Sequence, residues 1–172
     1  MKKENIETIE KLVKVNRCTT VTKGGRKFGF SVLVVVGDRK GRCGYGLGKG
    51  IEILIAKTKA SHQARKNIFK IPLKEGRTLH HEIIGKFCSS KIIIKPASIG
   101  TGVISGSVTR PLFEVLGIKD IITKSIGSNN PHNLLRATII GLKNISTPRN
   151  IAMKRNKTIY SIMNYKKIKN VE

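Results

Sequence analysis

Val21-Thr-Lys-Gly-Gly-Arg-Lys-Phe-Gly-Phe-Ser-Val-Leu-Val-Val-Val-Gly-Asp-Arg-Lys-Gly-Arg-Cys-Gly-Tyr-Gly-Leu-Gly-Lys49 is the stretch on which the reading of this chain turns. Phe28, Phe30, Val32, Val34 and Val36 recur at every second residue, the spacing that lines one face of a strand. Gly24-Gly25 before them and Gly37 to Gly41 after them supply turns. The stretch therefore predicts a three-stranded antiparallel meander with a buried central strand. Lys23, Arg26 and Lys27 fall at the first turn and Arg39, Lys40 and Arg42 at the second, with Asp38 the single acid among them. Cationic, glycine-rich turns of this kind suit phosphate.

In the third strand Cys43, Tyr45 and Leu47 alternate with Gly44, Gly46 and Gly48, and Lys49 follows. A glycine face admits another backbone at close range. Two readings stay open: tight packing against a neighbouring element, or direct contact with RNA sugar and phosphate.

Upstream, Ile6, Ile9, Leu12 and Val13 stand at helical spacing and predict a short helix over 4–15, followed by extended chain to Val21. Downstream, Ile53, Ala56, Ala60, Ala64 and Ile68 form one helical stripe over 51–69, while Lys57, Lys59, Arg65 and Lys66 occupy the rest. That helix caps the sheet and leaves a basic back, either a solvated face or an RNA-facing one. Helix, three strands and helix in this order resemble a double-stranded-RNA-binding domain, which reads helix shape and backbone.

Ile71-Pro72 and Gly76 break the pattern and mark a linker. The expected division is 1–72, a double-stranded-RNA-binding-like domain; 76–146, a second α+β domain of sandwich-like layering; and 147–172, a basic tail lying on RNA or mobile. The second domain reads as strands over 78–85 and 90–97, a helix over 103–116, a strand over 120–126 and a helix over 131–144. Asn130-Pro131 marks the start of the last helix, an N-cap followed by proline at the first helical position. Pro111 falls inside the helix predicted over 103–116, where it removes a hydrogen bond.

Lys-Gly-Gly-Arg-Lys-Phe, Val-Val-Val-Gly-Asp and Gly-Arg-x-Gly-x-Gly-x-Gly-Lys in the opening stretch, then Gly85-Lys-Phe, Lys95-Pro-Ala-Ser-x-Gly-Thr-Gly-Val and Lys124-Ser-x-Gly-Ser-Asn-Asn-Pro, resemble the family of bacterial small-subunit ribosomal protein number five. Arg136-Ala-Thr-Ile and Ala152-Met-Lys-Arg continue the match in order, so that it covers roughly residues 7 to 162. The resemblance implies a non-enzymatic constituent of the small subunit, near the junction of body and head and beside the messenger entry path. Ribosomal RNA and proteins four and eight are its implied partners, and subunit assembly and decoding accuracy its implied roles. It also implies that Arg110 meets protein four, and that the turn Thr22, Lys23, Gly24, Gly25 and Arg26 approaches the RNA site used by spectinomycin. The implied location is a cytoplasmic ribosome, with an organelle ribosome left open as the alternative.

Composition agrees without the family. Thirty-four Lys and Arg against 10 Asp and Glu in 172 residues leave a formal charge of +24, well beyond what solubility needs, and point to a polyanionic partner. An anionic membrane is the competing polyanion. Apolar runs such as Val32 to Val36 and Ile92 to Ile94 are too short to span a bilayer, and Met-Lys-Lys-Glu-Asn has no signal-peptide character, so an untargeted protein with no membrane partner is expected. Cys18, Cys43 and Cys88 are widely spaced and read as free, buried thiols. With His62, His80, His81 and His132 they form no zinc-ligand pattern. The adjacent His80 and His81 read as one ring on each face of a strand. No metal and no cofactor are expected.

Two motifs imitate nucleotide sites. Gly44-x-Gly-x-Gly-Lys49-Gly50 lacks the first glycine and the final hydroxyl of a phosphate loop. Gly100-Thr-Gly102-Val-Ile-Ser105-Gly106 follows a strand and has Asp120 downstream, as a dinucleotide fingerprint does, but Ser105 stands at its third glycine. No nucleophile, base and orienting acid fall in one context. The rival to a ribosomal protein is a free RNA-binding regulator or chaperone, which co-sedimentation with the small subunit separates from it.

Overall fold

The computed structural model describes residues 8–162. Its elements run β1 (Ile9–Thr22), β2 (Gly25–Gly37), β3 (Arg42–Gly50), α1 (Ile53–Lys66), β4 (Phe69–Lys70), β5 (Ile83–Phe87), β6 (Ser90–Pro96), β7 (Val103–Ile104), α2 (Arg110–Leu116), β8 (Ile121–Gly127), α3 (Pro131–Lys143) and α4 (Pro148–Arg155). The fold is α+β, with two four-stranded sheets ordered β1-β2-β3-β4 and β5-β6-β8-β7. The expected meander forms the first sheet, and the two-residue β4 extends it beside Arg42 and Cys43.

Val32, Val34 and Val36 pack with Ala56, Ala60 and Ala64 of α1. Val35 and Cys43 enter a second core with Leu112, Phe113, Val115 and Leu116 of α2. The first sheet is therefore covered on both faces, which is why the run from Val32 to Val36 is continuously apolar rather than alternating. Helix α2 lies between this sheet and the second one and buries Leu112, Phe113, Val115 and Leu116, while Arg110 and Glu114 keep one side open.

Gly44, Gly46 and Gly48 face α1. A Cβ on each would lie 2.2, 2.1 and 2.0 Å from the carbonyl oxygens of Ala64, Ala60 and Ala56 respectively. Three glycines on a strand thus meet three alanines one helical turn apart, and the open question resolves to packing. The second domain repeats the device with Gly85 of β5, whose Cβ would lie 2.1 Å from the Ala137 oxygen of α3.

Several expectations are corrected. Residues 9–15 of the predicted helix over 4–15 belong to β1, and 4–7 lie outside the described residues. Ile9 and Val13 pack against the core that contains α2, and a spacing of four keeps residues on one face of a strand as well as of a helix. A bulge between Leu12 and Lys14 then shifts the register.

The strand expected over 78–85 begins at Ile83, and His80 and His81 sit in a bend before it. His81 Nδ1 donates to the Glu82 carbonyl and its Nε2 accepts from Ser146 N, so the ring ties this bend to the end of the last core helix. In place of a helix over 103–116 stand β7, a turn and α2; β7 pairs with β8 in parallel, with α2 as the connection. Pro111 accordingly occupies the first turn of α2, where its missing N–H has no partner to lose. Of the thiols only Cys43 is buried, and burial pushes its pKa far up; Cys18 and Cys88 are exposed. Ile53 and Ile68, expected in the α1 stripe, are substantially exposed. Beyond Thr147 the tail opens with α4, capped by the Thr147 hydroxyl and carrying a buried Ala152. Its last residues, 163–172, lie outside the described residues.

Candidate nucleic-acid interface

Strand β3 pairs with β2 only from Phe30 onward. The five pairs from Cys18–Gly29 to Thr22–Gly25 therefore form a two-stranded arm that extends past the rest of the sheet. Residues 16–28 along it are exposed. Between Lys14 and Ser31 the chain holds Lys14, Arg17, Lys23, Arg26 and Lys27 and no acid. The tip is a two-residue turn in which Thr22 Oγ1 donates to the Gly25 carbonyl at 3.1 Å. Gly25 takes φ +125, a conformation that side chains rarely adopt.

The second cationic turn is built differently. Asp38 Oδ1 accepts from Lys40 N at 2.7 Å and from Arg42 N at 3.0 Å, which fixes the loop from inside. Its backbone is docked on α2: Arg39 N donates to the Val115 carbonyl at 2.9 Å and Gly41 N to the Leu116 carbonyl at 3.0 Å. Arg39 and Lys40 keep exposed side chains, while Arg42 lies 3.8 Å from Asp38. The two turns sit at opposite ends of the 13-residue β2, roughly 40 Å apart at ~3.3 Å per residue. Lys49, paired with Ser31 midway along β2, belongs to neither turn. The nine nominated residues hence form one cluster on the free arm (Lys23, Gly24, Gly25, Arg26, Lys27), one on the docked loop (Arg39, Lys40, Arg42), and Lys49 between.

Sequence reasoning missed two features. Arg17 lies over the ring of Phe28 at 4.1 Å to the centroid, so an exposed aromatic on the arm carries a cation on its face. The open face of the second sheet interleaves Ile84, Ile93, Ile122 and Ile126 with Lys86, Lys91, Lys95 and Lys124; pairs such as Lys91–Ile126 and Ile93–Lys124 place them side by side. The alternation of lysine and isoleucine was the available signal in the sequence.

Elsewhere cations are spent within the protein. On α1, Arg65 Nη2 and Ser61 Oγ both donate to Glu10, at 3.0 and 2.8 Å. Arg110 Nε donates to Glu114 Oε1 at 3.0 Å, and Lys11 of β1 pairs with the same carboxylate. Hydrogen bonds from Lys11 and then Arg110 hold the Glu114 carboxyl below its ordinary pKa. Arg110 thus stands on α2 beside a bridge to the first sheet, with over half of its side chain exposed.

The dinucleotide look-alike has an internal explanation. Asp120 is buried; its Oδ1 accepts from Gly100 N at 3.0 Å and Gly102 N at 3.1 Å, and its Oδ2 from Nε and Nη2 of Arg77. The Gly102 amide, followed by Arg77 and the Gly100 amide, holds this carboxyl below its usual range. The glycine loop does bind an anion, and the anion is the chain's own side chain. Among the described residues no cluster of His, Cys, Asp or Glu fits a metal, and no helix is long and apolar enough to cross a membrane.

A cationic arm on one α+β domain, braced by a second through a shared helix, is the architecture of a protein suited to a polyanion such as RNA. Residues 8–72 match the family description "Ribosomal protein S5, N-terminal domain" and residues 85–155 "Ribosomal protein S5, C-terminal domain". The chain is 52% identical over 159 residues to "Small ribosomal subunit protein uS5" of Wolbachia sp. subsp. Brugia malayi (strain TRS), covering 92% of this chain and 94% of that protein. The protein of the same name from Ruegeria sp. (strain TM1040) is 48% identical over 162 residues, 94% of this chain and 87% of the relative. That from Granulibacter bethesdensis is 47% identical over 161 residues, 94% and 85%. The chain belongs to the ribosomal protein S5 family, a family of ribosomal structural proteins and not of enzymes.

Proposed function

We infer that the chain is a structural constituent of the cytoplasmic small ribosomal subunit and that it binds ribosomal RNA chiefly through the arm of β1 and β2. The observation that carries this is the acid-free arm, an exposed two-stranded ribbon that carries Lys23, Arg26 and Lys27, with an Arg17–Phe28 stack at its base. Lys23, Arg26 and Lys27 meet backbone phosphate there, with Gly24 and Gly25 shaping the turn. The docked loop bearing Arg39, Lys40 and Arg42, together with Lys49, supplies secondary contacts. On the family pattern the arm tip approaches the spectinomycin site, the protein borders the messenger entry path, and proteins four and eight are its neighbours. Tagged chain expressed in cells should sediment with the small subunit at one copy per particle and crosslink to RNA first through the arm. Distribution over many free RNAs would support a regulator instead.

Arg110 faces protein four in this reading, and the contact bears on decoding accuracy. A charged group that loses its partner at an interface leaves that partner unpaired, so removal shifts the balance between the joined and separated states. Arg110→Leu should raise misreading while leaving assembly nearly intact, because Lys11 still holds Glu114 and the RNA contacts lie on the arm. Normal misreading in ribosomes fully occupied by the variant would remove Arg110 from this role.

A further inference from the structure

A cleft of about 150 Å³ opens where the two domains meet, between β3 and α1 on one side and α3 on the other. Tyr45, Gln63 and Asn67 line it from the first domain, His132 and Arg136 from the second, and no acid borders it. Gln63 Oε1 already accepts from Leu47 N at 2.9 Å, which leaves its amide nitrogen as a donor. Arg136 and His132 stand one helical turn apart on α3. Arg136 Nε and His132 Nδ1 are shut off from solvent and meet no hydrogen-bond partner among the described residues. Arg136 is braced by Phe87, whose ring centroid lies 5.2 Å from the guanidinium carbon, and it forms no ion pair among the described residues.

Arg136 is only partly buried and keeps its proton, and its Nη nitrogens, which donate to nothing among the described residues, are the atoms left to meet a ligand in the cleft. The lining offers donors from Gln63, Asn67 and Arg136, and none of the carboxylates that would quench the cation. The volume exceeds several-fold the ~30 Å³ that a water occupies in the liquid. We propose that this cleft seats an oxyanion of the phosphate class, either a backbone phosphate of RNA or free inorganic phosphate, gripped by Arg136 from one domain and by Gln63 and Asn67 from the other. Because its ligands come from both domains, occupancy fastens α1 to α3 and stabilises their docked arrangement. The site lies apart from the arm and requires nothing of it.

The test uses the full chain without RNA, so its failure is separate from any failure of the arm reading. Urea unfolding is followed while potassium phosphate replaces chloride at constant ionic strength. At a phosphate concentration ten times the dissociation constant, the folding equilibrium constant of the wild type should rise about elevenfold, and that of Arg136→Gln should not move. An equal rise in both, or none in the wild type, overturns the site. Should Arg136→Gln fail to fold, the Gln63 and Asn67 side-chain amide signals of the wild type decide by nuclear magnetic resonance. Shifts on adding phosphate and not chloride support the seat, and unmoved signals reject it. A short RNA duplex then identifies the source: the same shifts with duplex assign the site to RNA backbone, and shifts with inorganic phosphate alone assign it to the free anion.

Discussion

Gly24 and Gly25 share the turn at the arm tip, yet the backbone asks different things of them. A Cβ at either position meets open space, but only Gly25 has a φ, +125, that side chains resist. Gly25→Ala should cost roughly 1–3 kcal/mol of local strain and reshape the tip, weakening RNA binding and altering growth in spectinomycin. Gly24→Ala should leave both unchanged. Equal behaviour of the two variants would show that turn shape does not matter to the contact. Asp120 makes a second prediction at this scale. Its folded carboxyl is held below the ordinary range, so its contribution is fully present above the unfolded carboxyl pKa of ~3.9 and fades as pH falls through the folded value. In urea unfolding the wild type should exceed Asp120→Asn by a constant margin near neutrality, narrowing below about pH 4. A margin that does not vary with pH would contradict a charged Asp120 as the anchor of the glycine loop. The sequence offers Asp120 only as the downstream acid of a dinucleotide look-alike, and nothing along the chain could say that its carboxylate fills the anion seat of Gly100 and Gly102.

Strand β3 and helix α1 show what could be read from the chain at the level of elements. Glycine at every second position and alanine at every fourth announce a strand and a helix prepared for close approach, yet that they approach each other is a tertiary fact. Gly46→Ala puts a methyl 2.1 Å from the Ala60 oxygen, so the helix must lift, and the variant should lose about 1–3 kcal/mol in chemical denaturation. A loss under about 1 kcal/mol would mean that the interface is looser than this geometry. The start of β1 fits a helix as well as a strand, because Ile9 and Val13 satisfy both periods. Pro111 falls inside the helix that the sequence predicts because β7 and the turn after it are too short to show a period of their own. Both cases fall where elements are short or bulged and periodicity has few repeats to work with.

In the whole molecule one core joins the two domains. Val35, Cys43 and Ile71 from the first share it with Phe113, Leu116 and Ile121 from the second, while Lys11 bridges to Glu114 along its edge. The second cationic turn is drawn into this seam, which separates it in kind from the free arm, although the two look equivalent in the sequence. Arg39 and Lys40 are exposed as the arm cations are, but their backbone is held against α2 and Arg42 lies beside Asp38, whereas the arm stands free to follow a large polyanion. This difference makes the salt dependence of binding the most direct measurement. Affinity for small-subunit ribosomal RNA should be followed against salt for the wild type, for Lys23, Arg26 and Lys27 changed together to Gln, and for Arg39, Lys40 and Arg42 changed together to Gln. Each phosphate neutralised contributes roughly 0.7–0.9 to the slope of log affinity against log salt. The arm variant should therefore lose about 2–3 from that slope, and the docked-loop variant less than about 1. An unchanged slope in the arm variant, or the larger loss in the docked-loop variant, would contradict the arm as the principal RNA contact.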